Sequence, residues 1–196
     1  MLRQTKFVIV VKDMTMMKRL LGIVLLIGAM AACTGPGSDP RPVMARSYTL
    51  QSLNFTATPG LVVSEANNYY PQADIVWRGD APGPRIAQIG AMFEIAAARN
   101  TSVIRGNTPV AVDIQLIRFH GVTERTRGSV GGVYNIIFMM TVRDARTGTV
   151  IEPARRIVAD LRAPGGSGAQ ALEAAGRTEK VEVTDFLTAT LRNNLI

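Results

Sequence analysis

The chain is 196 residues long, with 22 basic and 15 acidic side chains, one histidine, one cysteine and a mean hydropathy of +0.15. Five basic residues (Arg3, Lys6, Lys12, Lys18, Arg19) and one acidic residue (Asp13) fall within residues 1–32, so the remainder carries 17 against 14, a net charge of +3. A balance that small, with no basic cluster interleaved with aromatics, argues against nucleic-acid binding, and a lone cysteine leaves no internal disulfide.

Lys18 and Arg19 form a positive n-region, Leu20 to Met30 an apolar h-region, and Met30-Ala31-Ala32-Cys33 a small-residue cleavage site, the layout of a secretory signal. The four residues ending in Cys33 resemble the lipobox of bacterial lipoproteins, with Met30 where that family prefers leucine. The resemblance implies cleavage between Ala32 and Cys33, a diacylglycerol on the Cys33 sulfur, and Cys33 as both first mature residue and membrane anchor. Each buried CH₂ is worth about 0.8 kcal/mol, so one acyl chain is marginal while two or three hold. Three other readings compete, one of them a core helix, which the lack of polar residues alternating with the apolar run disfavours. Cleavage by the ordinary signal peptidase after Ala29-Met30-Ala31 would leave Cys33 a free thiol. A transmembrane anchor would need about twenty apolar residues, and Leu20 to Ala32 supplies thirteen. Met14, Met16 and Met17 can each initiate, and a start at Met16 gives a leader of ordinary length. Residues 1–32 are thus read as a signal peptide.

Residues 33–45 follow as the acylated cysteine and a tether. Gly35, Pro36, Gly37, Pro40 and Pro42 block helix and central strand alike, and twelve extended residues reach roughly 40 Å at about 3.3 Å each. Thr34, in place of an aspartate after the anchor, favours the outer membrane. Residues 46–196 are one domain's worth of chain.

Within it, Arg46 to Thr58 reads as a strand whose apolar parity switches between Leu50 and Leu53, which predicts a bulge near Ser52. Pro59-Gly60 is a turn, Asn67 to Pro71 is irregular, and Ala73 to Arg78 is a short strand carrying the only tryptophan. Ile86, Ile89, Phe93 and Ala96 recur at helical spacing, which predicts a helix over Arg85 to Arg105 with Gly106 as its cap. Thr108 to His120 alternates as a strand. Gly121 to Gly132 is polar and Gly-rich, a loop or flexible arm. Val133 to Arg143 is a central strand, Asp144 to Thr149 a turn, and Val150 to Leu161 the paired strand, with Pro153 suiting an edge or bulge. Ala163 to Ala169 is a flexible linker, and a last helix runs from a cap at Thr178 to Asn194. Helices gathered on one face of a mostly antiparallel sheet make an α+β two-layer sandwich.

The run Thr108 to Asp160, with its Asp144-Ala145-Arg146-Thr147-Gly148 turn, resembles small uncharacterised envelope lipoproteins of α+β fold from Gram-negative bacteria of alphaproteobacterial type. It is more loosely similar to transport-auxiliary and lipopolysaccharide-assembly lipoproteins. About two thirds of the mature chain takes part, and the likeness transfers no functional residue.

The chemistry-bearing residues are few. A Ser-His-Asp triad would have to use His120. Ser167 in Gly165-Gly166-Ser167-Gly168-Ala169 is superficially similar to a G-x-S-x-G elbow but lacks its final glycine. A linker serine and a surface histidine are the plainer reading. Glu179, Glu182 and Asp185 recur at three-residue spacing at the start of the last helix, where negative charge complements the helix dipole. No D-x-D-x-D-G run or phosphate loop occurs, so neither metal nor cofactor is expected. Arg118, Arg125, Arg127, Arg143, Arg155 and Arg156 gather around the central strands. They form either a solvated face balanced by Glu124, Asp144, Glu152 and Asp160, or a surface for lipid phosphates or an acidic partner. The function expected is that of a non-enzymatic binding or assembly lipoprotein. It would be anchored through Cys33, partnered by another envelope protein or a lipid, and displayed from the outer membrane to the periplasm. A lipid or amphiphile carrier is the alternative, and a serine hydrolase a remote one.

Overall fold

The structure is a computed structural model and describes residues 46–196; the signal peptide, the Ala32/Cys33 cleavage and lipidation site and the tether lie outside the described residues. The elements are β1 (Tyr48–Ala57), β2 (Ile75–Val76), α1 (Arg85–Thr101), β3 (Thr108–His120), α2 (Glu124–Arg127), β4 (Gly132–Asp144), β5 (Val150–Ala163), α3 (Ser167–Ala174) and α4 (Glu179–Leu195). The sheet order is β1-β3-β4-β5, and β2 lies beside the far end of β3. β3, β4 and β5 form an antiparallel meander, while β1 and β2 run parallel to β3. Parallel neighbours need a long crossover, and α1 supplies it. No described helix is long and apolar enough to cross a membrane.

Alternation along the strands decides the two faces. Val110, Val112, Ile114 and Leu116 of β3 and Ile136, Phe138, Met140 and Val142 of β4 are fully buried against α1 and α4. From α1 come Ile89, Met92, Phe93 and Ala96, and from α4 Val183, Leu187, Leu191 and Leu195. Phe93 sits between Phe55 and Phe138, at ring-centroid distances of 5.4 and 5.3 Å. The helices are joined by Asn100, whose Nδ2 donates to the Thr188 carbonyl at 2.8 Å while its Oδ1 accepts from Arg192 Nε at 3.1 Å. The architecture is therefore the α+β sandwich, with a bulge between Leu50 and Ser52 and Thr178 capping α4 through the Val181 N–H.

Five local expectations are corrected. α1 stops at Thr101, with Ser102 as C-cap, rather than at Arg105. Gly106 is not its cap: it donates to the Tyr48 carbonyl at 2.6 Å, and a Cβ there would run into the Ser47 backbone. The Ala73 to Arg78 strand shrinks to Ile75–Val76, because Trp77 turns into the core and donates Nε1–H to Asp80 Oδ2 at 2.8 Å. Gly121 to Gly132 is no flexible arm. Thr123 caps α2 by accepting from the Thr126 N–H at 3.2 Å, and Val122, Thr126 and Arg127 are buried. The linker is only residues 164–166, since β5 runs to Ala163 and α3 starts at Ser167. Gly165 there abuts the Val130 and Gly131 backbone, where no Cβ fits.

Candidate functional site

The segment between β1 and α1 is pinned by charge. Arg85 holds Glu65 with two bonds, Nε to Oε1 at 2.8 Å and a terminal nitrogen to Oε2 at 2.9 Å, and Arg78 pairs with the same carboxylate. These bonds hold the Glu65 carboxyl down at about 2. Burial alone would raise Asp80, but bonds from Lys180, at 2.6 Å, and from Trp77 bring it below the ordinary carboxylate range.

So anchored, the Asn67–Pro71 stretch crosses the open sheet face at the end of β3. A bulge between Leu116 and Arg118 resets the alternation, so Phe119 enters the core while Arg118 and His120 face outward. The Tyr70 ring stacks on His120 with centroids 4.4 Å apart, and Arg118 donates to the Tyr70 hydroxyl at 3.0 Å. His120 Nε2 lies 2.9 Å from the Pro71 carbonyl. α2 straps the stretch from the other side. Thr123 donates to the Asn68 carbonyl at 2.7 Å, Thr126 to the Tyr69 carbonyl at 3.0 Å, and the Arg125 N–H to Asn67 Oδ1 at 2.8 Å. The Arg125 guanidinium lies 5.0 Å over the Tyr69 ring, a cation–π distance.

Between these walls lies a cleft of about 350 Å³, lined by Tyr69, Tyr70, His120, Thr126, Val130 and Asn135 with the backbone of Gly121, Gly131 and Gly132. No carboxylate lines it. Arg125 lies over Tyr69, and Arg118 reaches the Tyr70 hydroxyl from an adjoining depression that it lines with Asp74; neither arginine has an ion pair among the described residues.

The residues singled out from sequence do not converge. His120 is in the cleft, buried and bonded to Pro71, whereas Ser167 opens α3 and is exposed; no hydrogen bond joins them among the described residues. The three acidic residues of α4 go to separate partners. Glu179 turns inward and accepts from the Tyr134 hydroxyl, Glu182 lies 4.0 Å from Arg127, and Asp185 pairs with Arg99 at 2.6 Å and Arg177 at 2.5 Å. Burial pushes the Glu179 carboxyl up, against the pull of Tyr134 and Arg127. The arginine group divides too. Arg127 is buried with Glu173 at 3.1 Å, Arg143 binds Asp113 at 2.6 Å, and Arg155 reaches the Asn194 carbonyl at 2.8 Å. Arg118 and Arg125 each contact one of the two tyrosines, and Arg156 is exposed on β5. Tyr69 and Tyr70 carry the cleft walls although no sequence motif marks them; adjacent tyrosines in a stretch without apolar periodicity were the available signal.

β5 forms the far edge of the sheet. Its outer side has no strand partner, and no other described backbone group bonds to it. Pro153 lies on this edge, beside register shifts at Val142.

Residues 48–196 match the model of a family of unknown function, DUF6778. Among solved structures, the chain is similar to protein XCC0632 from Xanthomonas campestris, of family DUF330, at 15% identity and a TM-score of 0.40, covering 79% of this chain and 94% of that one. It is also similar to a candidate lipoprotein from Caulobacter crescentus CB15 at 13% identity and a TM-score of 0.30, covering 59% and 83%. Both likenesses are too distant to transfer a role. No curated protein matches the chain.

Proposed function

The chain belongs to the DUF6778 family, and from its own residues we propose that it is a lipid-anchored, non-enzymatic binding component of the bacterial cell envelope. Acyl chains on Cys33 hold it at the outer membrane, and residues 46–196 face the periplasm. The anchor half of this reading is supported by the Lys18 to Cys33 signal pattern. The binding half is carried by the unpaired outer side of β5. Along this fourteen-residue strand alternate residues turn their N–H and C=O groups away from β4, a template for strand addition in which main-chain bonds give affinity and alternate side chains give specificity. Pro153 and the charged residues Glu152, Arg155, Arg156, Asp160 and Arg162 guard this edge against indiscriminate pairing, which leaves it to a partner of matching side chains.

A carrier of lipids or other amphiphiles is the second reading. It needs a hollow between α1 and the sheet, and that interface is filled by the packed rings of Phe55, Phe93 and Phe138. The docking reading is therefore preferred.

Two experiments test the proposal in cells. Metabolic labelling with a palmitate analogue should mark the wild-type protein, and Cys33→Ser should lose the label and leave the membrane fraction. Label persisting on Cys33→Ser, or a wild-type protein wholly in the soluble periplasm, ends the lipoprotein reading. A photo-crosslinker at exposed Val158 of β5 should give one adduct of fixed mass, and one at exposed Val103 should give none. Equal crosslinking at both positions, or none at Val158, removes the edge as the docking surface.

A further inference from the structure

We propose that the cleft between Tyr69, Tyr70 and His120 is a docking site for an acidic segment of a partner protein. The segment seats one large apolar side chain in the cleft and lays its carboxylates on Arg118 and Arg125. The inference rests on the envelope-binding reading above and names the chemistry of the partner.

Three observations support it. The cleft's volume of about 350 Å³ is at the small end of the roughly 300–1,000 Å³ typical of binding pockets, room for one aromatic or branched side chain. Its walls are set before any partner arrives. Tyr69 and Tyr70 are 56% and 59% exposed, yet their backbone is strapped to α2 by Thr123 and Thr126, and Tyr70 is stacked on His120. Rigid, exposed tyrosines beside glycine backbone and an asparagine are the chemistry of protein-recognition surfaces, and preorganisation lowers the entropy cost of binding. The tyrosine pair is bracketed by cations as well: Arg125 over the Tyr69 ring and Arg118 at the Tyr70 hydroxyl make no ion pair among the described residues, although Asp74 lines the same depression as Arg118 and Asp160 accepts from Asn135 at 2.7 Å. A guanidinium laid on a tyrosine keeps donors free to take a carboxylate.

Position favours a protein over the anchoring membrane. The chain enters the domain where Tyr48 pairs with Thr108, at the start of β3, while the cleft is at His120, its other end. Thirteen residues of strand separate the two ends by about 40 Å. The cleft also adjoins the free sheet edge. Val133 and Asn135 of its lining pair with Arg162 and Asp160 of β5, one strand spacing of about 4.8 Å away, so one partner segment can engage both.

The test uses the full chain in detergent micelles. Its probes are a fluorescein-labelled decapeptide with a central phenylalanine among aspartates, the same peptide with serine for phenylalanine, the same peptide with lysines for aspartates, and phosphatidylglycerol vesicles. The acidic phenylalanine peptide should bind about tenfold tighter than either control. Arg118→Gln and Arg125→Gln should each weaken it by roughly tenfold, the loss of one charge-assisted hydrogen bond, with melting curves unchanged. Absence of binding, equal binding of the three peptides, or indifference to both variants overturns the proposal. So does vesicle binding that the same variants abolish, which would assign the surface to anionic lipid. A Val158 adduct in cells combined with no peptide binding would sink the cleft alone and leave the envelope-binding reading standing.

Discussion

Arg85 and Glu65, twenty residues apart in the chain, form a two-armed ion pair in which the guanidinium is buried and the carboxylate is not. The Arg85 side chain is 3% exposed and the Glu65 side chain 55%, and Arg78, at 4%, shares the same carboxylate. One surface acid thus bridges two buried cations, with Glu124 also reaching Arg78 at 3.4 Å, and through them it fixes the segment that carries Tyr69 and Tyr70.

This gives the first prediction, a pH dependence. The Glu65 carboxyl is depressed from its ordinary value of 4.5 to about 2, so its contribution to stability is fully present above pH 4.5 and is lost as pH falls toward 2. Glu65→Gln should lower stability near neutrality by about 1 kcal/mol, a value held down because water screens the exposed acid. It should also flatten the acid limb of the melting-temperature profile in that window. An acid limb identical in wild type and variant would show that the pair does not set it.

Glu179 works in the opposite sense. Burial raises its carboxyl, so the folded state keeps this proton at pH values where the unfolded chain has lost it. Stability from this residue is thus lost as pH climbs through the raised value. Glu179→Gln keeps an oxygen for the Tyr134 hydroxyl and should be neutral to slightly stabilising at pH 7. Glu179→Ala orphans that hydroxyl and should cost about 1–3 kcal/mol. Urea denaturation of the two variants separates these outcomes.

Gly106→Ala should be severe. The added methyl meets the Ser47 backbone rather than a movable side chain, so the start of β1 must shift and the Gly106 N–H to Tyr48 carbonyl bond is lost. A loss of about 2 kcal/mol or more is expected, with faster hydrogen exchange at Tyr48 and Thr108 as its local signature.

Phe93→Ala empties the centre of the stack between Phe55 and Phe138. A fully buried phenylalanine truncated to alanine costs about 3–5 kcal/mol, measurable as a drop in the urea midpoint. A cost below about 1 kcal/mol would mean that the core closes over the gap.

The β3 boundaries are legible in the sequence, because Val110, Val112, Ile114 and Leu116 alternate with Ala111, Asp113 and Gln115 over a half-buried strand. The end of α1 is not. Val103 and Ile104 continue its helical spacing, but Asn100 bonds across to Thr188 and the chain turns away at Ser102, leaving Ile104 buried outside the helix. α3 escapes for a different reason. Its eight residues carry no apolar stripe, and its tie to Arg127 through Glu173 spans 46 positions. The cleft is least legible. Its walls come from Asn67–Pro71, the end of β3, α2 and the start of β4, and what joins them is hydrogen bonds between distant segments.

The parallel pairing of β1 with β3 matters once the domain is under load. Were the stretch before Arg46 to act as the proposed tether, its tension would enter at Arg46 and pull β1 along its own axis, so the ladder from Tyr48 to Ala57 would be strained in shear, with its bonds loaded together rather than opened in turn. Part of that force also bypasses the ladder. Arg46 and Tyr48 both bond Glu152 at 2.8 Å, and Arg155, 3.4 Å from Glu152, grips Asn194 at the end of α4. The point of entry is thus bolted to the opposite edge of the sheet and to the last helix. Under the proposed anchoring, that bolting would resist the peeling of β1 from β3 when a partner pulls at the far end.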